Sequence, residues 1–290
     1  MNSEKLQHWQ VGDVKITKLV EVVIGPVGAD FFFPDATQQQ IDKHRWLRPH
    51  FVDASGMLLG SLHTFIVETK DRRILVDTCI GNDKKRVNPP WDMMHNPFLE
   101  DLADLGYPVD SIDTVMCTHL HVDHVGWNTR LDDGKWVPTF PKARYLFARK
   151  EWEHWTTDGV SQITPDDAIG DSVRPILEAG LADLVEVDHR VSDEVWFEPT
   201  PGHSPAHVSV HIASRGDEAI ITGDMIHHPL QLSEPDLITH FCFDRAQART
   251  TRRAFLEKYQ DRPVLVLGTH FHAPTAGYVV HDGNAWRLKY

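Results

Sequence analysis

The chain has 290 residues, 41% of them hydrophobic and 24% charged, with a formal net charge of −13. That length and balance describe a globular protein able to bury a sizeable core, as one large domain or two small ones. An acidic chain without a lysine- or arginine-rich run argues against nucleic acid and anionic membranes as partners, and no stretch approaches the roughly 18 apolar residues of a membrane span.

Three scattered cysteines, Cys79, Cys117 and Cys242, imply no disulfide framework and suit a reducing compartment. The first residues lack the apolar run of a signal peptide, so a cytoplasmic protein is expected. From the N-terminus, residues 14–23 read as a first strand after a polar entry. The three phenylalanines Phe31, Phe32 and Phe33 read as core, with the lip of a pocket as the alternative. Residues 38–45 suit a short helix. Residues 60–69 and 73–81 read as two strands joined by the turn Asp71-Arg72-Arg73, a hairpin. Asp77 ends the apolar run of the second, where it either orients a ligand from behind or caps the turn. Residues 87–97, with Trp91 and Met93, form an irregular segment, a flap over a site or a packed loop. A helix is expected over residues 98–105, stopped by Gly106.

Residues 111–117 then read as a short buried strand running into Thr118-His119-Leu120-His121-Val122-Asp123-His124. Four candidate metal ligands thus stand within six positions. Residues two apart in an extended segment point the same way, so His119 and His121 can converge on one ion, while Asp123 and His124 face a second. Imidazole and carboxylate suit a first-row divalent metal, zinc first among them. A closed structural zinc site would more often use thiolates, and the one thiol nearby, Cys117, falls on the same side as His119 but earlier in the strand.

Beyond the cluster, Asp132-Asp133-Gly134 marks a turn, residues 143–147 a strand, and residues 149–155 and 173–178 helices. Strands follow at 184–187, 195–198, 208–212 and 219–224, with a tight loop at Pro201-Gly202-His203-Ser204-Pro205-Ala206-His207. Residues 243–259 suit a long helix with Asp244 as its N-cap. Residues 264–270 close the chain as a last buried strand tipped by His270. Five times an apolar strand ends and a His or Asp follows: Asp77, His119, His203, Asp224 and His270. Ligands from distant strand ends can meet along one sheet edge. No linker divides the chain, so residues 1–290 are read as one domain of two sheets with helices outside.

These residues resemble the metallo-β-lactamase-fold hydrolases. The signature His-x-His-x-Asp-His is present at residues 119–124, followed in order by His203, by Asp224 in Thr-Gly-Asp and by His270. The resemblance implies an α/β fold, the αββα four-layer sandwich with mixed sheets, and a dinuclear centre. One ion would be held by His119, His121 and His203, the other by Asp123, His124 and His270, with Asp224 bridging and Asp77 matching the family aspartate behind the ligands. Cys79 and Ala206 depart from positions where glycine is frequent, which bears on loop conformation rather than on the ligands. The histidine at 121 argues against the diiron flavoprotein branch, and the Asp224/His270 pattern is similar to lactonases, organophosphate hydrolases and esterases.

Two such cations, zinc or else manganese, iron or cobalt, would share a hydroxide that attacks a small ester or lactone, with Asp224 fixing both ions and Asp123 able to receive a proton. Phosphotriesterase, phosphodiesterase, thioesterase and β-lactamase activities are alternatives within the hydrolases. A mononuclear iron persulfide dioxygenase and a non-catalytic metal-binding protein are alternatives outside them. Trp91, Met93, Trp127, Phe147, His228 and His272 are candidate pocket residues; the two histidines serve substrate or simply the fold. A small-molecule substrate is expected, and the aromatic N-terminal segments offer a surface for a homodimer.

Overall fold

The computed structural model describes residues 6–157 and 166–290. Two compact units are distinguished, one built from Met1–Glu21 and His63–Val187, the other from Val22–Leu62 and Asp188–Tyr290. Among the described residues no helix is long and apolar enough to cross a membrane. In chain order the strands are β1 (Leu6–Val11), β2 (Val14–Val27), β3 (Leu58–Glu68), β4 (Arg73–Val76), β5 (Thr114–Met116), β6 (Thr129–Asp132), β7 (Lys135–Pro138), β8 (Arg144–Ala148), β9 (Ala182–Val185), β10 (Val195–Pro199), β11 (Val208–Ser214), β12 (Asp217–Ile221), β13 (Val264–Leu267), β14 (Ala276–Asp282) and β15 (Ala285–Lys289). One mixed sheet has the order β1-β2-β3-β4-β5-β8-β9 and the other β10-β11-β12-β13-β14-β15.

In the first unit the expected hairpin is β3–β4, antiparallel with Phe65 opposite Val76 and Glu68 opposite Arg73. From β4 onward the strands run parallel: Val76 pairs with Met116 and Met116 with Leu146. Parallel strands covered on both faces need a nearly unbroken apolar sequence, and Ile74, Leu75, Val76, Val115 and Met116 are all buried. The register has a chemical consequence. Because Val76 and Met116 are neighbours, the residues that follow them, Asp77 and Cys117–Thr118, leave the sheet at the same edge. In parallel sheets that edge, at the carboxyl ends of the strands, is where ligands bind.

The second unit repeats the device with one parallel pair, β12 and β13, in which Ile221 stands beside Leu267. Asp224 and His270 each lie three residues beyond that pair, so they emerge side by side. β11 runs antiparallel to β12 with Val210 opposite Ile221, which brings the loop before β11, Thr200–His207, to the same edge. The long helix spans Arg245–Tyr259. Its N-cap is Asp244, as expected, whose side chain accepts from the amides of Ala246 and Gln247.

The structure departs from the expected elements at both ends. The polar entry contains a strand, β1, paired antiparallel with β2 so that Val11 faces Val14; its mixed Leu-Gln-His-Trp-Gln-Val sequence hides the alternation. The strand at 264–267 is not the last, because β14 and β15 extend the sheet beyond it. Phe32 and Phe33 are buried as core, while Phe31 is 38% exposed.

Glu198 on β10 ties the sheet of the second unit to the end of the long helix. It accepts from Tyr259 Oη at 2.7 Å, Lys258 Nζ at 2.7 Å and contacts His211 Nδ1 at 3.1 Å. Burial works to raise its pKa, but the bonds from His211, Lys258 and Tyr259 prevail and hold it at about 2. A carboxyl depressed from 4.5 in this way stabilises the fold fully above pH 4.5 and loses that contribution as pH falls toward 2. Thermal melts between pH 7 and 3 should therefore show Glu198→Gln less stable at pH 7 and closer to wild type as pH falls. A constant gap across that range would contradict the assignment.

Candidate metal centre

In the first unit the ligand-bearing segment follows β5 directly. His119 and His124 are buried, whereas His121 and Asp123 are partly exposed. The ligand atoms of His119 and His121 lie within 4.8 Å of one another, as do those of Asp123 and His124. The rings of His119 and His124 have centroids 4.1 Å apart.

Asp77 organises this group from behind. Its Oδ1 accepts the Thr118 amide at 2.8 Å and its Oδ2 accepts the Thr118 hydroxyl at 2.9 Å. The same Oδ2 lies 2.9 Å from His124 Nδ1. Thr118 Oγ1 in turn lies 3.1 Å from His119 Nδ1. The loop around Asp77 is laced to the ligand segment through its main chain: Thr78 N–H donates to His124 O, Gly126 N–H to Cys79 O and Trp127 N–H to Thr78 O. This lacing leaves no room for a side chain at Gly126, where a Cβ would strike the carbonyl of Ile80. Asp77 and Cys79 take left-handed φ values of 57° and 49°, so Cys79 does occupy the conformation that glycine adopts most freely. Glu21 caps the same loop, accepting from the amides of Ile80 and Gly81 and from Trp127 Nε1. Burial pushes its pKa up to about 7.

In the second unit Asp224 is the hub. His203 Nε2 lies 3.3 Å from Oδ2 and His270 Nε2 lies 2.9 Å from Oδ1. A third imidazole, His227, places Nε2 3.2 Å from Oδ2. His207 backs the carboxylate: its Nε2 accepts the Asp224 amide at 2.8 Å while its Nδ1 contacts Thr200.

His227 is the residue that sequence reasoning missed. It is buried, and burial lowers its pKa below the usual histidine value. The signal lay in the spacing: on the tight turn at Gly223–Met225, position i+3 from Asp224 can fold back over the carboxylate. The neighbouring His228, expected as a pocket residue, is spent on the fold. Its Nε2 lies 2.9 Å from Phe51 O and its Nδ1 accepts the Leu230 amide at 3.0 Å.

Trp127 and Phe147, also expected as pocket residues, belong to the core of the first unit; Trp127 stacks on Phe98 with 5.4 Å between centroids. Apolar side chains at parallel strand ends are buried by the same packing that makes the strands. Met93 is 44% exposed and Trp91 half-buried in the segment expected as a flap. His272 is half-buried with Nδ1 3.2 Å from Ala273 O.

The donor set fits divalent cations. Four buried imidazoles rest Nδ1 against a neighbour, namely His119 on Thr118, His124 on Asp77, His203 on Cys242 Sγ at 3.7 Å and His270 on Ser61 O at 3.4 Å. With Nδ1 so engaged, Nε2 of each ring is the atom that could face a cation, the arrangement metal-binding histidines favour.

The family described as the metallo-beta-lactamase superfamily matches residues 59–270. Among curated proteins, the N-acyl homoserine lactonase AiiA of Bacillus thuringiensis subsp. kurstaki is 24% identical over 172 residues, 54% of this chain and 60% of the relative. The chain thus spans about 60% of the length of the curated lactonases it matches. A probable metallo-hydrolase of Mycobacterium tuberculosis is 24% identical over 216 residues, 67% of this chain and 66% of the relative. Among solved structures, AidC, a dizinc quorum-quenching lactonase captured with its product, superimposes with a TM-score of 0.80 at 19% identity, covering 98% of this chain and 96% of its own. The hydrolase AbOPH superimposes with a TM-score of 0.80 at 22% identity, covering 100% and 99%. These likenesses show the fold class expected from the sequence, α/β of αββα type with mixed sheets.

Removing the carboxylate behind the ligands tests this geometry. Asp77→Ala should weaken metal affinity by about 10- to 100-fold, measured by competition with a chromophoric chelator. Asp77→Asn, which keeps an acceptor for the Thr118 amide, should lose less. Unchanged affinity in Asp77→Ala would contradict the role assigned here.

Proposed function

The chain belongs to the metallo-β-lactamase superfamily, and from that premise we propose that it is a metal-dependent hydrolase of lactonase or esterase type. In this reading residues 1–290 act as a single cytoplasmic domain on a small molecule. His119, His121 and His203 would hold one divalent ion and Asp123, His124 and His270 another, with Asp224 serving both. Zinc is the ion of first choice, with manganese, iron or cobalt accepted by the same ligand types. The observation that carries the reading is the convergence of three imidazole Nε2 atoms to within 3.3 Å of the Asp224 carboxylate, two of them, His203 and His270, in the expected ligand set.

When bound, a pair of such ions supplies a water made acidic enough to attack near neutral pH and a Lewis acid for the oxygen of the scissile bond. The chain's own residues have narrower tasks. Asp224 is fixed before substrate arrives, so little reorganisation is needed as charge develops. Asp123, the partly exposed carboxylate of the set, takes up the proton released during attack. The clamps on Nδ1 keep four rings in one tautomer and one orientation. A small ester or lactone is the proposed substrate, supported by the lactonases among the relatives.

An assay panel of a lactone, an aryl ester, a phosphotriester and a β-lactam tests the reading. Metal-loaded protein should cleave lactone or ester, lose that activity on chelation and regain it on metal addition. Asp224→Ala should lose metal and turnover together. Protein that carries both ions yet cleaves none of the four would overturn the proposal; cleavage of the phosphotriester alone would replace the substrate class.

A further inference from the structure

The buried imidazoles of the second unit are held by unlike atoms. His270 rests Nδ1 near an oxygen, Ser61 O. His203 rests Nδ1 against sulfur, 3.7 Å from Cys242 Sγ. In the first unit the corresponding contacts of His119 and His124 are both to oxygen. Sulfur is the weaker acceptor, so of these four Nδ1 contacts the one at His203 involves the atom that chemistry most easily changes.

The main chain just after the thiol is held against the loop that bears His203. Phe243 N–H donates to His203 O at 2.9 Å and Asp244 N–H donates to Gly202 O at 2.9 Å. Asp244 then caps the long helix, and Thr251 Oγ1, further along it, donates to Pro201 O at 2.6 Å. Gly202 sits at φ +132°, against the main chain of Gln247 and Ala248, where a Cβ would not fit. The loop bearing His203 is therefore pinned to the start of the helix, and Cys242 is carried by the same pins. Thr239 Oγ1, 3.4 Å from Sγ, steadies the thiol from the other side.

We propose that Cys242 is a positioning residue of the metal centre: its sulfur accepts the Nδ1–H of His203 and sets the ring so that Nε2 faces Asp224. The assignment rests on the reading of His203 as a metal ligand. It gives the centre a ligand whose orientation is sensitive to the state of one partly buried thiol, while Cys79 and Cys117 are fully buried.

The test compares wild type, Cys242→Ala and Cys242→Ser for zinc affinity by chelator competition and for the visible spectrum of the cobalt-loaded protein, with thermal midpoints alongside. Cys242→Ala should bind zinc about tenfold more weakly or worse and shift the cobalt bands. Cys242→Ser, which restores an acceptor, should recover most of the affinity. A change confined to the thermal midpoint, with affinity and spectrum of Cys242→Ala unchanged, would overturn the proposal. Equal loss in both variants would also overturn it, since volume rather than hydrogen bonding would then be at work. Wild-type protein that binds no zinc would instead sink the metal centre itself, and this assignment with it.

Discussion

An imidazole sealed away from water must have both ring nitrogens accounted for, because a buried donor or acceptor without a partner costs about 1–3 kcal/mol. Much of the local structure answers that requirement. Asp77 serves Thr118 and His124 at once, and Thr118 passes the support on to His119. Cys242 and Ser61 do the corresponding work for His203 and His270. With Nδ1 engaged in each ring, Nε2 is the nitrogen that would meet a cation in the proposed centre.

Strand register decides which residues meet this requirement together. In each unit one parallel pair brings two short apolar strands level, Val76 with Met116 and Ile221 with Leu267. The residues just beyond them are the chemical ones. The apolar runs supply the burial that makes the polar ends costly to leave unsupported, and the loops beyond the ends supply the support. Gly126 and Gly202 mark two places where those loops approach other main chain too closely for any side chain.

Much of this was legible in the chain. A dense run of histidines and an aspartate after an apolar strand needs no structure to be noticed, and each later ligand candidate also follows a strand or a glycine turn. Asp77 could be singled out because it ends an apolar run, although only the register of β4 against β5 shows what it holds. His227 was passed over for His228 because adjacent positions look alike in sequence, and the turn after Gly223 chooses between them. Trp127 misled for a related reason: proximity to a ligand in sequence does not reveal whether an aromatic ring faces the core. β1 and β14–β15 went unread because their polar alternation is weak, and pairing with neighbouring strands rather than intrinsic pattern makes them strands.

The family places this chain among metal-dependent folds, and the residues give that membership a physical content: imidazoles set against fixed neighbours and one carboxylate on which three of them converge. The most direct measurement is the anomalous diffraction signal from crystals of the metal-loaded protein. The account predicts two cation peaks, one ligated by His119, His121 and His203, the other by Asp123, His124 and His270, with Asp224 touching both. Peaks bound by only one half of this residue set, or none at these residues in protein shown to carry metal, would contradict it.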